Sequence, residues 1–220
     1  MQGASIRRRM VRSLLLLTGV SVGLFAAGAA ANRSLEFSYL LWNLFLAWLP
    51  LLCTFVLLLT LHTKHWSDWL PLGLTLVWLV LLPNTFYMIS DFVHIQDVTR
   101  NNLLFDVVMF TSFVVTAFLL GFTSLRIVHG ELLKRVSARS AHVAAGIILL
   151  LCSFGIYLGR DLRWNSWDVL VNPAGILFDI SDHLIHPFQH GDMFTTTLSF
   201  FVLIGSLYLA SWQAGGQTHR

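Results

Sequence analysis

Asn84, Tyr87, Asp91 and His94 recur at i, i+3, i+7 and i+10 within LLPNTFYMISDFVHI, Leu81 to Ile95. On a helix they share an arc of about 80°, a polar stripe at the end of an otherwise apolar segment. A carboxylate and an imidazole on one face suit acid–base work or metal ligation, with Asp91 as base or ligand and His94 as acid–base group or ligand. Pro83 lacks the N–H that would bond the Leu79 carbonyl, so the helix should kink there. The plainer alternative has Asn84 and Tyr87 satisfying the kink while Asp91 and His94 cap an interfacial end.

Asp106 lies three residues inside the next apolar run, in NNLLFDVVMF. A carboxylate there is costly to desolvate unless it is paired, metal-bound or protonated. The cations available to it are Arg160 and Arg163, in GRDLRWNSWDV. Helical spacing would put Arg160, Arg163, Trp164 and Trp167 on one face with Asp168 beside it. That is a clamp for an anionic or planar group, since guanidinium binds bidentately and stacks. The alternative is an Arg–Asp network with the tryptophans in the lipid headgroup layer. In DISDHLIHPFQHGD, residues Asp179, His183, His186 and His190 fall within an arc of about 60° if helical. With Asp91 and His94, these three histidines are the candidate ligands for a divalent metal such as Zn, Fe or Mn. Their spacing matches no established metal signature, and Pro187 would interrupt a helix before His190.

The elements that must position these groups are set by hydropathy. The 220 residues are 56% hydrophobic and 11% charged, with mean hydropathy +0.71, against about 25% charged in soluble domains. Six runs are long enough to cross a hydrocarbon core of about 30 Å as helices: Ser13–Ala31, Phe37–Leu61, Trp69–Ser90, Leu103–Leu125, Ala141–Gly159 and Met193–Trp212. The fold class is therefore an all-α polytopic membrane bundle, one domain over residues 1–220. An added interfacial helix is expected in the long connection from Arg160 to Asp192. There Asn172 offers an N-cap and Pro173 the first helical position, with Ile176, Leu177, Ile180 and Leu184 at helical spacing.

Lys and Arg set the orientation. With the N-terminus inside, ten basic and two acidic residues give the inner side +8, and four basic and nine acidic give the outer side −5. Both termini are then cytoplasmic, in an inner (plasma) membrane, and the basic side faces anionic lipid. Membrane lipids are the expected partners, with a membrane-protein partner open. The charge balance calls for no nucleic acid. The first run, with its RRRMVR start and small residues at its end, also resembles a cleavable signal; its length favours a retained helix. Either way the next loop is outside, and the polar groups above share the outer face.

Cys53 and Cys152 both lie within apolar runs and form no CxxC or Cys/His cluster. There is no Walker loop, GxGxxG, GxSxG or HExxH, so no nucleotide or flavin is expected. No histidine sits mid-span to ligate haem. The stretches LLPNTFYMISDFVHI, LFD and GRDLRWNSWDV resemble a bacterial family of uncharacterised membrane proteins, domain of unknown function 1361, from the second span to the sixth. The family pattern is matched at Pro83, Asn84, Tyr87, Asp91, His94, Asp106, Gly159, Arg160, Arg163, Trp164, Asn165, Trp167 and Asp168. The resemblance implies a multi-pass membrane protein and no particular activity. Two functions remain: an enzyme at the outer membrane boundary acting on a lipid or envelope substrate, or a non-catalytic subunit or headgroup-binding module whose polar cluster is structural.

Overall fold

The computed structural model describes residues 2–97, 103–164, 166–186 and 191–216, and among these every regular element is helical. In chain order they are α1 (Gln2–Asn32), α2 (Tyr39–Leu61), α3 (Trp69–Leu81), α4 (Pro83–Tyr87), α5 (Leu103–Leu133), α6 (Ala138–Arg160), α7 (Asp168–Val171), α8 (Pro173–Ile185) and α9 (Gly191–Gly216). Short 3-10 turns occupy Glu36–Ser38 and Met88–Asp97. Six stretches are long and apolar enough to cross a bilayer: Arg8–Asn32, Glu36–Leu61, Trp69–Val93, Leu103–Leu133, Ala138–Arg160 and Gly191–Ala214. This is the expected multi-pass bundle, with α8 as the additional short helix.

The bundle is built around α5. Phe110, Phe113 and Leu120 pack with Leu40, Leu44 and Leu51 of α2 and Leu14 and Phe25 of α1. On its other side, Phe118, Phe122 and Leu125 meet Trp78 and Phe86, with Leu149, Cys152 and Ile156 of α6 and Ile204 and Tyr208 of α9. The outward faces stay apolar: Leu16 is 71% exposed, Leu59 70% and Leu198 60%. Such a surface is stable only against lipid.

Without water in the core, polar side chains within spans must find one another. Trp78 Nε1–H donates to Ser124 Oγ at 2.7 Å, and the Ser124 and Thr54 hydroxyls are 2.7 Å apart. This chain ties α3, α5 and α2 together. Ser21 and Thr116, 3.2 Å apart, link α1 to α5 in the same way.

Two helix limits differ from expectation. Arg126 does not end its span: α5 continues to Leu133, and α6 begins at Ala138 after the N-cap Ser137, whose Oγ accepts from Ser140 N–H at 3.1 Å. The basic side chain is accommodated by reaching sideways: Arg126 Nη1 donates to the Ser211 carbonyl at 2.8 Å, and its guanidinium lies 5.6 Å from the centre of the Trp212 ring. The span after Pro83 also does not continue as one α-helix. Leu82 N–H still bonds the Trp78 carbonyl at 2.9 Å. Beyond the proline, Thr85 turns back on Leu82, its N–H donating to that carbonyl at 3.1 Å and its Oγ1 at 2.7 Å. The chain then tightens to 3-10 geometry from Met88.

Candidate functional site: a cavity at one end of the bundle

The break at Pro83 creates space. A cavity of about 1030 Å³ lies between α2, the α3–α4 junction and α6, with residues of α7, α8 and α9 completing its lining. Its deeper walls are apolar: Leu46 from α2, Leu79 and Val80 from α3, and Leu150, Leu151 and Phe154 from α6. At its other end stand Tyr39, Asn43, Asn84, Tyr87, Asp91 and Ser166. Its size lies at the top of the roughly 300–1,000 Å³ of small-molecule sites, and it shares their pattern of apolar walls with few polar groups.

Two hydrogen-bonded pairs organise the polar end. Asn43 Nδ2–H donates to Asp91 Oδ2 at 2.9 Å, holding a carboxylate that is only 4% exposed. Asn84 Nδ2–H donates to Ser166 Oγ at 3.0 Å, and the Ser166 hydroxyl lies 3.3 Å from Asn84 Oδ1, so the helix break is tied to the segment after α6. Two glycines let α4 sit close enough for this. A Cβ on Gly121 of α5 would lie 2.8 Å from Phe86 Cζ, and one on Gly155 of α6 would lie 2.7 Å from Pro83 Cγ.

Residues 161–164 and 166–186 border the polar end, contributing Trp164, Ser166, Trp167, Val169, Ile176 and Ile180 to the lining. The chain leaves α6 at Arg160, and Arg163 takes a left-handed conformation, φ 59°. Trp164 N–H then bonds back to the Leu158 carbonyl at 3.1 Å, and its indole Nε1–H donates to Asp179 Oδ2 of α8 at 2.8 Å. Gly175 makes room for that ring, since a Cβ there would lie 2.9 Å from Trp164 Cη2. α8 begins as expected, with Asn172 Oδ1 accepting from Gly175 N–H at 3.1 Å and Pro173 in the first turn. Ile176 and Ile180 face the cavity, while Leu177 is 66% exposed.

The candidate residues are distributed as follows. Asn84, Tyr87, Asp91, Trp164 and Trp167 line the cavity. The single helical face expected for Arg160, Arg163, Trp164 and Trp167 does not form, because α6 ends at Arg160 and the turn at Arg163 separates them. Arg160 and Arg163 are exposed and outside the lining, although Arg160 is close enough to act electrostatically on Tyr87. Asp106 is 2% exposed in the first turn of α5 and is not a lining residue either. Asp168 opens α7 beside the cavity residue Val169. Of Asp91, His94, Asp106 and Arg160, expected to share one pocket, Asp91 lines the cavity, and the His94 side chain lies outside those described.

His183 is buried on α8, its Nδ1–H donating to the Asp179 carbonyl at 2.7 Å. His186 turns elsewhere, 3.1 Å from Asp182 Oδ1, and is half exposed. His190 lies outside the described residues. Among those that are described, no three His, Cys, Asp or Glu side chains come together as metal ligands.

Sequence reasoning missed Asn43, Tyr39 and Ser166. Asn43 carried a usable signal, a lone amide within the apolar run YLLWNLFLAW. Ser166 carried none.

Fold and cavity together define a multi-pass helical membrane protein with an amphipathic chamber at one end. The chain belongs to the family described as Protein of unknown function (DUF1361), whose model matches residues 42–207. That stretch contains the lining residues except Tyr39 and leaves α1 outside. Neither a curated protein nor a solved structure matches the chain.

Proposed function

We propose that this protein holds a lipid or lipid-linked molecule in the cavity, at the extracytoplasmic boundary of the plasma membrane. One observation carries the reading: an apolar chamber of about 1030 Å³ ends in Asn43, Asn84, Asp91 and Ser166. A chain-plus-head molecule matches that division. The outward placement rests on the basic bias, since Lys64, Lys134, Arg135 and Arg139 belong to the opposite ends of the spans.

Within this reading Asp91 is the group placed to do chemistry. Asn43 orients it and the cavity shields it from water, the conditions under which a carboxylate serves as a base toward a bound polar group. The competing reading keeps the cavity as a binding module with Asp91 as a structural acceptor. Cross-linking with a diazirine-bearing fatty chain, followed by peptide mapping, tests the shared part: labels should concentrate on Leu150–Leu158. Leu158→Trp should narrow the chamber beside that stretch and weaken that labelling, and unchanged labelling in that variant refutes the site. Asp91→Asn separates the two roles. A base requires loss of cellular function with labelling retained, whereas a binding module keeps function in proportion to folded protein.

A further inference from the structure

The ends of α5, α6 and α9 remote from the cavity gather His129, His142, Tyr208 and Trp212. His129 lies one turn before the end of α5 and is 1% exposed. Its ring stacks on the Trp212 indole, 4.2 Å between centres, and meets the His142 ring at 4.9 Å with the planes 86° apart. Its Nδ1 is 2.9 Å from the Tyr208 hydroxyl. Its Nε2 is buried and has no hydrogen-bond partner among the described residues. Buried polar atoms are seldom left open, and a bound water or ion is a common complement.

His142 adds a second ring nitrogen with a defined lone pair. Its Nδ1 lies 2.5 Å from the Ala138 carbonyl. A carbonyl can only accept, so the proton is on Nδ1 and Nε2 carries the lone pair. When His129 likewise donates from Nδ1 to the Tyr208 hydroxyl, its open Nε2 carries a lone pair too. Imidazoles that ligate metals are held in this manner, by a partner on the other ring nitrogen. Two imidazoles bound at about 2.0–2.1 Å to one near-tetrahedral ion have ring centres about 5 Å apart, which matches the separation of this pair. His142 is exposed, so movement of its side chain gives an ion access. The guanidinium of Arg126, 5.6 Å from the centre of the Trp212 ring, opposes any weakly held cation. Mg²⁺ and Ca²⁺ also prefer oxygen ligands, whereas imidazole suits Cu²⁺ and Zn²⁺.

We propose that His129 and His142 bind a divalent transition-metal ion, Cu²⁺ or Zn²⁺, through their Nε2 atoms, with water in the remaining positions. Two protein ligands leave the ion open positions, unlike the closed set of a structural zinc site. The test uses the full chain in detergent, without a histidine tag and with one equivalent of Cu²⁺. Pulsed electron paramagnetic resonance then counts the bound imidazoles. The parent should show two. His142→Ala, at an exposed position, should show at most one and bind the first equivalent at least about tenfold more weakly. Tyr208→Phe keeps the buried ring and loses the hydroxyl; it should retain both imidazoles and bind about 10–100-fold more weakly. Excess Zn²⁺ should displace the Cu²⁺ and Mg²⁺ should not. A single imidazole in the parent overturns the proposal. So does a His142→Ala variant that binds as tightly through two imidazoles, which would assign the metal to other histidines.

Discussion

Gly121 and Gly155 hold α4 from two sides, and adding one methyl at each tests whether the cavity depends on that seat. At Gly121 the new Cβ would be 2.8 Å from Phe86 Cζ and 2.9 Å from Thr85 Cβ. Neither neighbour can yield easily. Both are fully buried, and the Thr85 hydroxyl is committed to the Leu82 carbonyl at 2.7 Å. Overpacking of this kind costs about 1–3 kcal/mol, and two rigid neighbours place Gly121→Ala toward the upper end. At roughly 2–4 °C per kcal/mol for a chain of this length, the midpoint should fall by about 4–12 °C. Gly155→Ala meets the Pro83 ring at 2.7 Å and 3.2 Å. That ring borders the cavity and has space to shift, so the loss should be smaller, about 1–2 kcal/mol.

Cys152 provides the assay. Its thiol is fully buried on α6, so a thiol-reactive fluorophore reports unfolding in detergent once the half-buried Cys53 is replaced by Ala. Gly73→Ala and Gly146→Ala are the controls, because a Cβ at either meets nothing within 4 Å. They should melt with the parent or slightly above it, since Ala is the better helix former. If Gly121→Ala melts within about 1 °C of Gly146→Ala, α4 is not seated as described and the cavity's wall is not rigid.

Three further outcomes follow from the same structure. Ser124→Ala removes the acceptor of the Trp78 indole, which is 1% exposed, and should cost about 0.6–2 kcal/mol in the same melt; an unchanged midpoint would mean the three-helix polar link carries no stability. Asn172→Ala deletes the cap that accepts from Gly175 N–H and should weaken α8 by about 1 kcal/mol, seen as roughly fivefold faster amide exchange across Pro173–Ile185 with the spans unaffected. With both native cysteines replaced, Gln96→Cys should react with an impermeant maleimide on intact cells and Lys134→Cys only after permeabilisation; the reverse pattern overturns the orientation.

How much of the molecule is legible in its sequence divides along the membrane normal. Depth is written in composition: apolar runs place each polar residue at a span end, and helical spacing there groups Asn84, Tyr87 and Asp91. Caps are written locally, so Asn172 and Pro173 announce α8. Lateral position is not written in either. Asp106 shares a span end with Asp91, yet it lies outside the cavity lining, because which helix faces which is decided by packing around the phenylalanines of α5. The Arg160–Trp167 stretch failed for a different reason. Its helical spacing was real, but the chain turns at Arg163 with φ 59°, and no glycine marked the left-handed residue.

That failure changes the chemistry expected of the site. Had α6 continued, two guanidiniums and two indoles would have lined one wall and favoured an anionic head. The turn leaves Arg160 and Arg163 exposed and outside the lining, while Trp164 bonds to Asp179. The described lining holds the pair Asn43–Asp91, drawn from two spans, and the pair Asn84–Ser166, drawn from a helix break and a loop, beside Tyr39 and Tyr87. Each pair joins elements that hydropathy alone keeps separate. Which residues line the cavity therefore depends on where α6 stops, a property of one backbone turn.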